Sequence, residues 1–145
     1  MPPNESHFRK LEQTYLAAPT NQYYKPRVHI SEGEAEIVIS VDPRFYHAAD
    51  AVHGSVYFKA LDDAAFFAVN SIVEDVFVLT ASFNLYLVRP VDEGEMKATG
   101  RLLHQTRRSY LAEARLVDSE GRLLATGTGT FMRSQIALDE TIGYV

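Results

Sequence analysis

The sequence predicts an α+β fold: one long central helix wrapped by an antiparallel sheet of five or six strands, with a short helix in front. Three observations lead to this. The apolar pattern runs strand, helix, then four strands, with a short additional strand candidate ahead of the first. The helical stretch is apolar nearly all round, which is the pattern of a buried helix. The later strands are joined by short polar turns, as antiparallel neighbours are. A sheet with one helix on one face leaves a flank open, so a homo-oligomer that covers it is expected.

Each element has its own signal. In residues 4–17, Phe8, Leu11 and Tyr15 recur at helical spacing, Asn4 is placed to cap, and Pro19 stops the helix. Residues 20–26 read as a polar connector. Residues 27–31 and 35–41 read as strands, the second alternating Ala35, Ile37, Ile39 and Val41 with polar neighbours until Asp42-Pro43 ends it. Residues 44–52 form a loop, and the helix is expected over about 55–72. Strands follow at 76–88, closed by Arg89-Pro90, and at 95–105, 109–117 and 123–133. Asp118-Ser119-Glu120-Gly121 turns the chain into the last of them. The segments 1–26, 27–134 and 135–145 are accordingly read as helix and connector, core domain, and tail.

Composition excludes several classes. A chain of 145 residues with 46% hydrophobic and 23% charged residues is one ordinary globular domain. The formal net charge of -5 and pI near 5.5 lack the basic footprint of a nucleic-acid binder. With no cysteine, disulfides, thiolate nucleophiles and Cys-zinc sites are excluded. No apolar run is long enough to span a membrane, and Met1 to Lys10 has no hydrophobic signal core, so a cytoplasmic protein is expected. The histidines His7, His29, His47, His53 and His104 show no metal-ligand spacing, and no metal or cofactor is expected.

The most informative stretch is His53-Gly54-Ser55, with Asp62 and Thr80 further on. The first N–H groups of a helix have no intrahelical partner and carry the positive end of its dipole. A Gly there lets a substrate oxygen approach the backbone, which suits a polarised carbonyl or oxyanion. A carboxylate on a mostly buried helix is costly unless paired or functional. A plainer reading makes Ser55 only a cap, and makes Asp62 and Asp63 a solvated ion-pair stripe with Lys59.

Residues 53–62, His-Gly-Ser-Val-Tyr-Phe-Lys-Ala-Leu-Asp, resemble the hotdog-fold acyl-CoA thioesterases of the phenylacetate-pathway (PaaI-like) type. So do residues 80–90, ending in Arg89-Pro90, and residues 121–127. The resemblance covers about 32–133 and implies hydrolysis of an acyl-CoA to free acid and CoA. It implies that Asp62 is nucleophile or general base, that the Gly54 N–H holds the carbonyl oxygen, that His53 orders the loop and orients the thioester, and that Thr80 orients water. It further implies a homodimer or dimer of dimers with sites between subunits, Asp62 of one chain facing Gly54 of the other.

Two positions depart from that pattern. Ser55 replaces a second Gly, and His47 stands where an Asn is common, putting an imidazole that can donate to a carbonyl in place of an amide. Arg89, Arg107 and Arg108 are candidates for the CoA phosphates, since Arg makes bidentate phosphate contacts. Phe58, Phe66 and Phe67 are either core or the wall of an acyl tunnel. Two alternatives remain on the sequence: a non-catalytic acyl-CoA-binding or regulatory module, and a hotdog dehydratase or hydratase.

Overall fold

The structure is a computed structural model that describes residues 4–145. Its elements are α1 (Glu5–Ala17), α2 (Asn21–Tyr24), β1 (Arg27–Ser31), β2 (Glu34–Ser40), α3 (Gly54–Asn70), β3 (Val76–Leu87), β4 (Glu95–Gln105), β5 (Ser109–Val117) and β6 (Leu123–Ala137). Single 3-10 turns lie at Pro43–Phe45 and Glu140–Ile142. All six strands form one antiparallel sheet in the order β1-β2-β4-β5-β6-β3. The expected architecture is therefore the observed one.

Small residues let α3 lie close on the sheet. Ala60, Ala64 and Ala65 face Ala98, Ala112, Ala114 and Ala125, all buried. Gly100 lies directly under the helix, where a Cβ would come within 2.2 Å of the Ala64 carbonyl oxygen. Gly127 and Gly129 have a different purpose. A Cβ at either would meet the Phe83 ring at 2.5 Å, so this alternation of Gly with Thr on β6 is a seat for one aromatic of β3.

The N-terminal helix packs as its periodicity requires, with Phe8, Leu11 and Tyr15 buried. Asn4 occupies the N-cap position but makes no side-chain cap hydrogen bond, contrary to expectation. Its φ and ψ of -105° and 14° are not the extended geometry that carries a cap oxygen back to the helix. Within the connector, Asn21–Tyr24 close into one helical turn, ended by Lys25 in the left-handed region. The last strand runs past the expected Arg133 to Ala137, because Ala137 pairs again with Val76 of β3 beyond an irregularity in the ladder.

Both ends of the described chain are tied to the C-terminal end of α3. His7 Nε2 donates to the Asn70 carbonyl at 2.9 Å, which leaves Nδ1 to accept from the Tyr144 hydroxyl at 2.7 Å. Asn70 is fully buried. Its amide donates to the carbonyls of Val73 and Val76, and its Oδ1 accepts from the Val78 N–H. That satisfies a costly buried amide and fixes the path from α3 into β3. No described helix is long and apolar enough to cross a membrane.

Candidate active site

The helix starts at Gly54 because His53 caps it. The His53 backbone is extended, and its Nδ1 accepts from the Ser55 N–H at 3.0 Å, with Ser55 Oγ 2.9 Å away. Ser55 is thus not the cap. The helix begins one residue before the expected start, so Ser55 falls in its first turn as the residue being capped. The Gly54 N–H has no acceptor among the described residues. A Cβ there would meet only Leu87 Cδ1, at 3.0 Å, so the tip of β3 walls one side of this donor.

Asp62 lies about two turns further along and is half-buried. Thr80, exposed on β3, donates from Oγ1 to Asp62 Oδ1 at 2.9 Å. No cation among the described residues pairs with Asp62. Burial pushes its carboxyl up to about 6. The Thr80 hydrogen bond and the Lys59 charge oppose that rise, and the Asp63 charge adds to it.

Asp63 points about 100° further round the helix and is engaged elsewhere. Its Oδ2 accepts from Lys59 Nζ at 2.8 Å and from the Tyr15 hydroxyl at 2.6 Å. Lys59 also lies over the rings of Tyr15 and Tyr24. Burial, then the Asp63 charge, push the Tyr15 hydroxyl far above its usual range, so it stays a donor. The ion-pair reading is therefore true of Asp63 and not of Asp62. Spacing pointed to Lys59 as its partner. Tyr15 carried no such signal, being 48 residues away in sequence.

The remaining predicted residues divide between two ends of the sheet. Thr80 shares a transverse row with Phe131, Tyr110 and Gln105, and the turn bearing Arg107 and Arg108 lies just beyond it. Leu87 shares the opposite row with Ala125 and Leu116, and Arg89 lies beyond that. The Arg89 carbonyl accepts from the Tyr57 hydroxyl at 2.7 Å, which pins this strand end to α3. The three arginines are exposed and do not converge within one protomer. His47 is exposed on the loop leading to His53, with its Nδ1 accepting from the Ala49 N–H at 3.0 Å. A bridge between Tyr46 and Val52 closes that loop.

Gly54 and Asp62 are eight residues apart on one helix, which is about 12 Å along its axis. A single protomer cannot bring both to one carbonyl group. Phe66 and Phe67 are buried, whereas Phe58 is 40% exposed and stands edge-on to Phe83 at 5.6 Å. Asp62 and Asp63 line a cavity of about 560 Å³ between α3, the α1–α2 segment and the C-terminal turn. No group of three or more His, Asp and Glu among the described residues is arranged to hold a metal ion.

The thioesterase superfamily matches this chain over residues 50–125, more than half its length. The chain belongs to that superfamily. The matched span holds His53, Gly54, Asp62, Thr80 and Arg89, and leaves out both terminal segments. A Saccharolobus solfataricus protein named as an esterase is 21% identical over 103 residues, 71% of this chain and 69% of its own. The fold is shared with the Escherichia coli PaaI protein of the phenylacetic acid degradation operon. The TM-score is 0.84 and the identity 17%, over 92% of this chain and 97% of that one. A variant of the phenylacetic acid degradation protein PaaI from Thermus thermophilus gives 0.73 at 24% identity, over 81% of this chain and 100% of that one. The architecture is thus the hotdog fold of this superfamily. A half-buried carboxylate oriented by a hydroxyl, and an unpaired N–H at a helix start, can serve as a base and an oxyanion donor.

Proposed function

We propose that the protein hydrolyses an acyl-CoA thioester to the free acid and coenzyme A, as a homodimer with its sites between protomers. The observation that carries this is Asp62: half-buried, bonded to Thr80, paired with no cation among the described residues, and with its carboxyl pKa pushed up to about 6. Such a carboxylate is ionised at neutral pH yet basic enough to take a proton. Membership of the thioesterase superfamily supplies the bond to be cleaved.

Geometry supports a dimer. β3 is a twelve-residue edge strand bonded on one side only, with Leu79, Tyr86 and Leu87 about half exposed or more. An open edge of this length and character is a template for pairing. A two-fold partner whose α3 runs antiparallel covers the edge and spans the gap of about 12 Å. It brings the Gly54 of one chain to the Asp62 of the other. It also brings Arg89 to the end that bears the partner's Arg107 and Arg108, gathering positive charge for the CoA phosphates.

In the general-base form, Asp62 takes a proton from water, and the resulting hydroxide adds to the thioester carbonyl carbon. The Gly54 N–H holds the oxyanion, and Thr80 keeps the carboxylate aimed. Collapse breaks the C–S bond, and the leaving thiolate recovers the proton from Asp62. In the nucleophilic form, Asp62 attacks the carbonyl carbon and the C–S bond breaks to expel the CoA thiolate. Water then opens the mixed anhydride to the free acid and Asp62, and the proton it releases goes to the thiolate. His53 and Ser55 keep the helix start in place, and His47 lies on the loop beside it. Free thiol release from purified protein supplied with a panel of acyl-CoAs tests the activity. Single-turnover hydrolysis in ¹⁸O-water tests the nucleophilic form, since label enters Asp62 only when water opens an anhydride at its carboxyl carbon. No release from any acyl-CoA, with unaltered acyl-CoA binding, would favour the non-catalytic module instead.

A further inference from the structure

The cavity on which Asp62 lies is walled by parts of the chain that the superfamily match does not cover. Matched residues end at Ala125 and begin at Asp50. Within that span, α3 contributes Phe66 and Phe67, and β3 contributes Phe77. The opposite wall is Tyr15 and Ala18 from the α1–α2 segment, and Ile142 from the C-terminal 3-10 turn. These two terminal segments are held together and to α3. His7 bridges the Asn70 carbonyl and the Tyr144 hydroxyl, and Tyr15 donates to Asp63. The wall is thus a fixed part of the fold.

Its chemistry is lopsided. Asp62, Asp63 and Lys59 supply polar groups on the helix side, and Asp63 and Lys59 already satisfy one another at 2.8 Å. The remaining surface is largely apolar. We infer that this cavity receives an apolar acyl chain much longer than butyryl, and that the two terminal segments limit its length. The inference rests on the proposed thioester hydrolysis, because only that reading places the acyl carbonyl at Asp62.

Size bounds the class. A methylene is similar in bulk to a water's share of the liquid, roughly 30 Å³. About 560 Å³ therefore has bulk for at most roughly eighteen methylenes: a ten-carbon chain fits inside it, and a butyryl group leaves most of it empty. Each buried methylene strengthens binding by about fourfold. Ala18 has an extended backbone that any residue adopts, so a larger side chain there narrows the cavity without straining the chain.

The experiment measures dissociation constants of butyryl-CoA and decanoyl-CoA on the full-length Asp62→Asn protein, whose slowed turnover lets binding equilibrate before hydrolysis. Decanoyl-CoA is expected to bind at least about a hundredfold more tightly. In Asp62→Asn/Ala18→Phe, and separately in Asp62→Asn/Ile142→Trp, that ratio is expected to fall below about tenfold, with butyryl-CoA affinity little changed. Thermal unfolding confirms that each variant is folded; if one is not, the other decides. Equal affinities for the two acyl-CoAs, no binding of either, or a ratio that both substitutions leave intact would overturn the inference. A retained ratio with no thiol release by the parent protein would leave the pocket standing and defeat the hydrolytic reading alone.

Discussion

Thr80 and Asp62 are joined by a 2.9 Å hydrogen bond that ties the middle of the central helix to the edge strand of the sheet. The bond orients one carboxylate oxygen and stabilises its ionised form. It also distinguishes Asp62 from its neighbour, whose carboxylate is consumed by Lys59 and Tyr15. Two adjacent aspartates on one helix thus have separate duties, one available for chemistry and one holding the N-terminal helix in place.

The first prediction follows from that division. Asp62→Asn should lower kcat by about 10²- to 10⁴-fold, the usual contribution of a positioned base. Asp63→Asn should retain most of kcat but unfold at lower temperature, since Lys59 and the Tyr15 hydroxyl lose a charged partner. Steady-state kinetics and thermal melts on both proteins check this. Equal losses of kcat would mean that the helix phase assigns no separate role to Asp62.

A second prediction concerns pH. Asp62 must be ionised to act, so kcat/KM should fall on the acid side with an apparent pKa near 6. Thr80→Val removes a contact that favours the charged form, so its limb should move to higher pH. His47→Asn should leave the limb in place. A limb that moves with His47→Asn and ignores Thr80→Val would assign the titration to the imidazole.

A third prediction is a stability gain from loss of function. The Asp62 carboxyl holds its proton more tightly folded than unfolded, because its pKa rises from 3.8 to about 6. Ionisation between those values therefore weakens the fold. The penalty is complete above about pH 6 and absent below about pH 4. It amounts to about 2 kcal/mol once partial solvent exposure is allowed for. Asp62→Asn should melt about 4–8 °C higher at pH 7.5 and show no gain at pH 4. A gain of the same size at both pH values would refute the linkage.

Gly54 gives a fourth. Gly54→Ala keeps the N–H and improves helix propensity, and its Cβ would meet only the flexible tip of Leu87 at 3.0 Å. Folding should survive with a melting temperature within about 3 °C of the parent. The added methyl should obstruct approach of the carbonyl oxygen, and kcat/KM should fall at least about tenfold. Full activity in this variant would reduce Gly54 to a convenient place to start a helix.

Much of this molecule was legible before any coordinates. The all-round apolar pattern of α3 and the alternation in β2 to β6 are local signals, because burial on one face or all round imprints a period on the chain. His53-Gly54 at a helix start and a pair of carboxylates beyond it could be placed on one element from the sequence. Spacing left Asp62 and Asp63 open, and the choice of Asp62 came from the resemblance to the PaaI-like thioesterases. What the sequence missed begins with the caps. Asn4 sits in a capping position without capping, and His53 caps in place of Ser55, because cap geometry depends on backbone angles just outside the helix.

The sequence by itself determined the order of elements, the buried helix and the identity of the carboxylates on it, since each follows from periodicity within a segment. Only the tertiary structure decided which aspartate is free. That choice was made by Tyr15 and Thr80, which lie far from the pair in sequence and reach it only after α1 and β3 have packed against α3. Tertiary packing also closed the cavity between both termini, and set Arg89 at the opposite end of the sheet from Arg107 and Arg108. Contacts between distant segments leave no period in the chain, so they emerge only when burial brings those segments together.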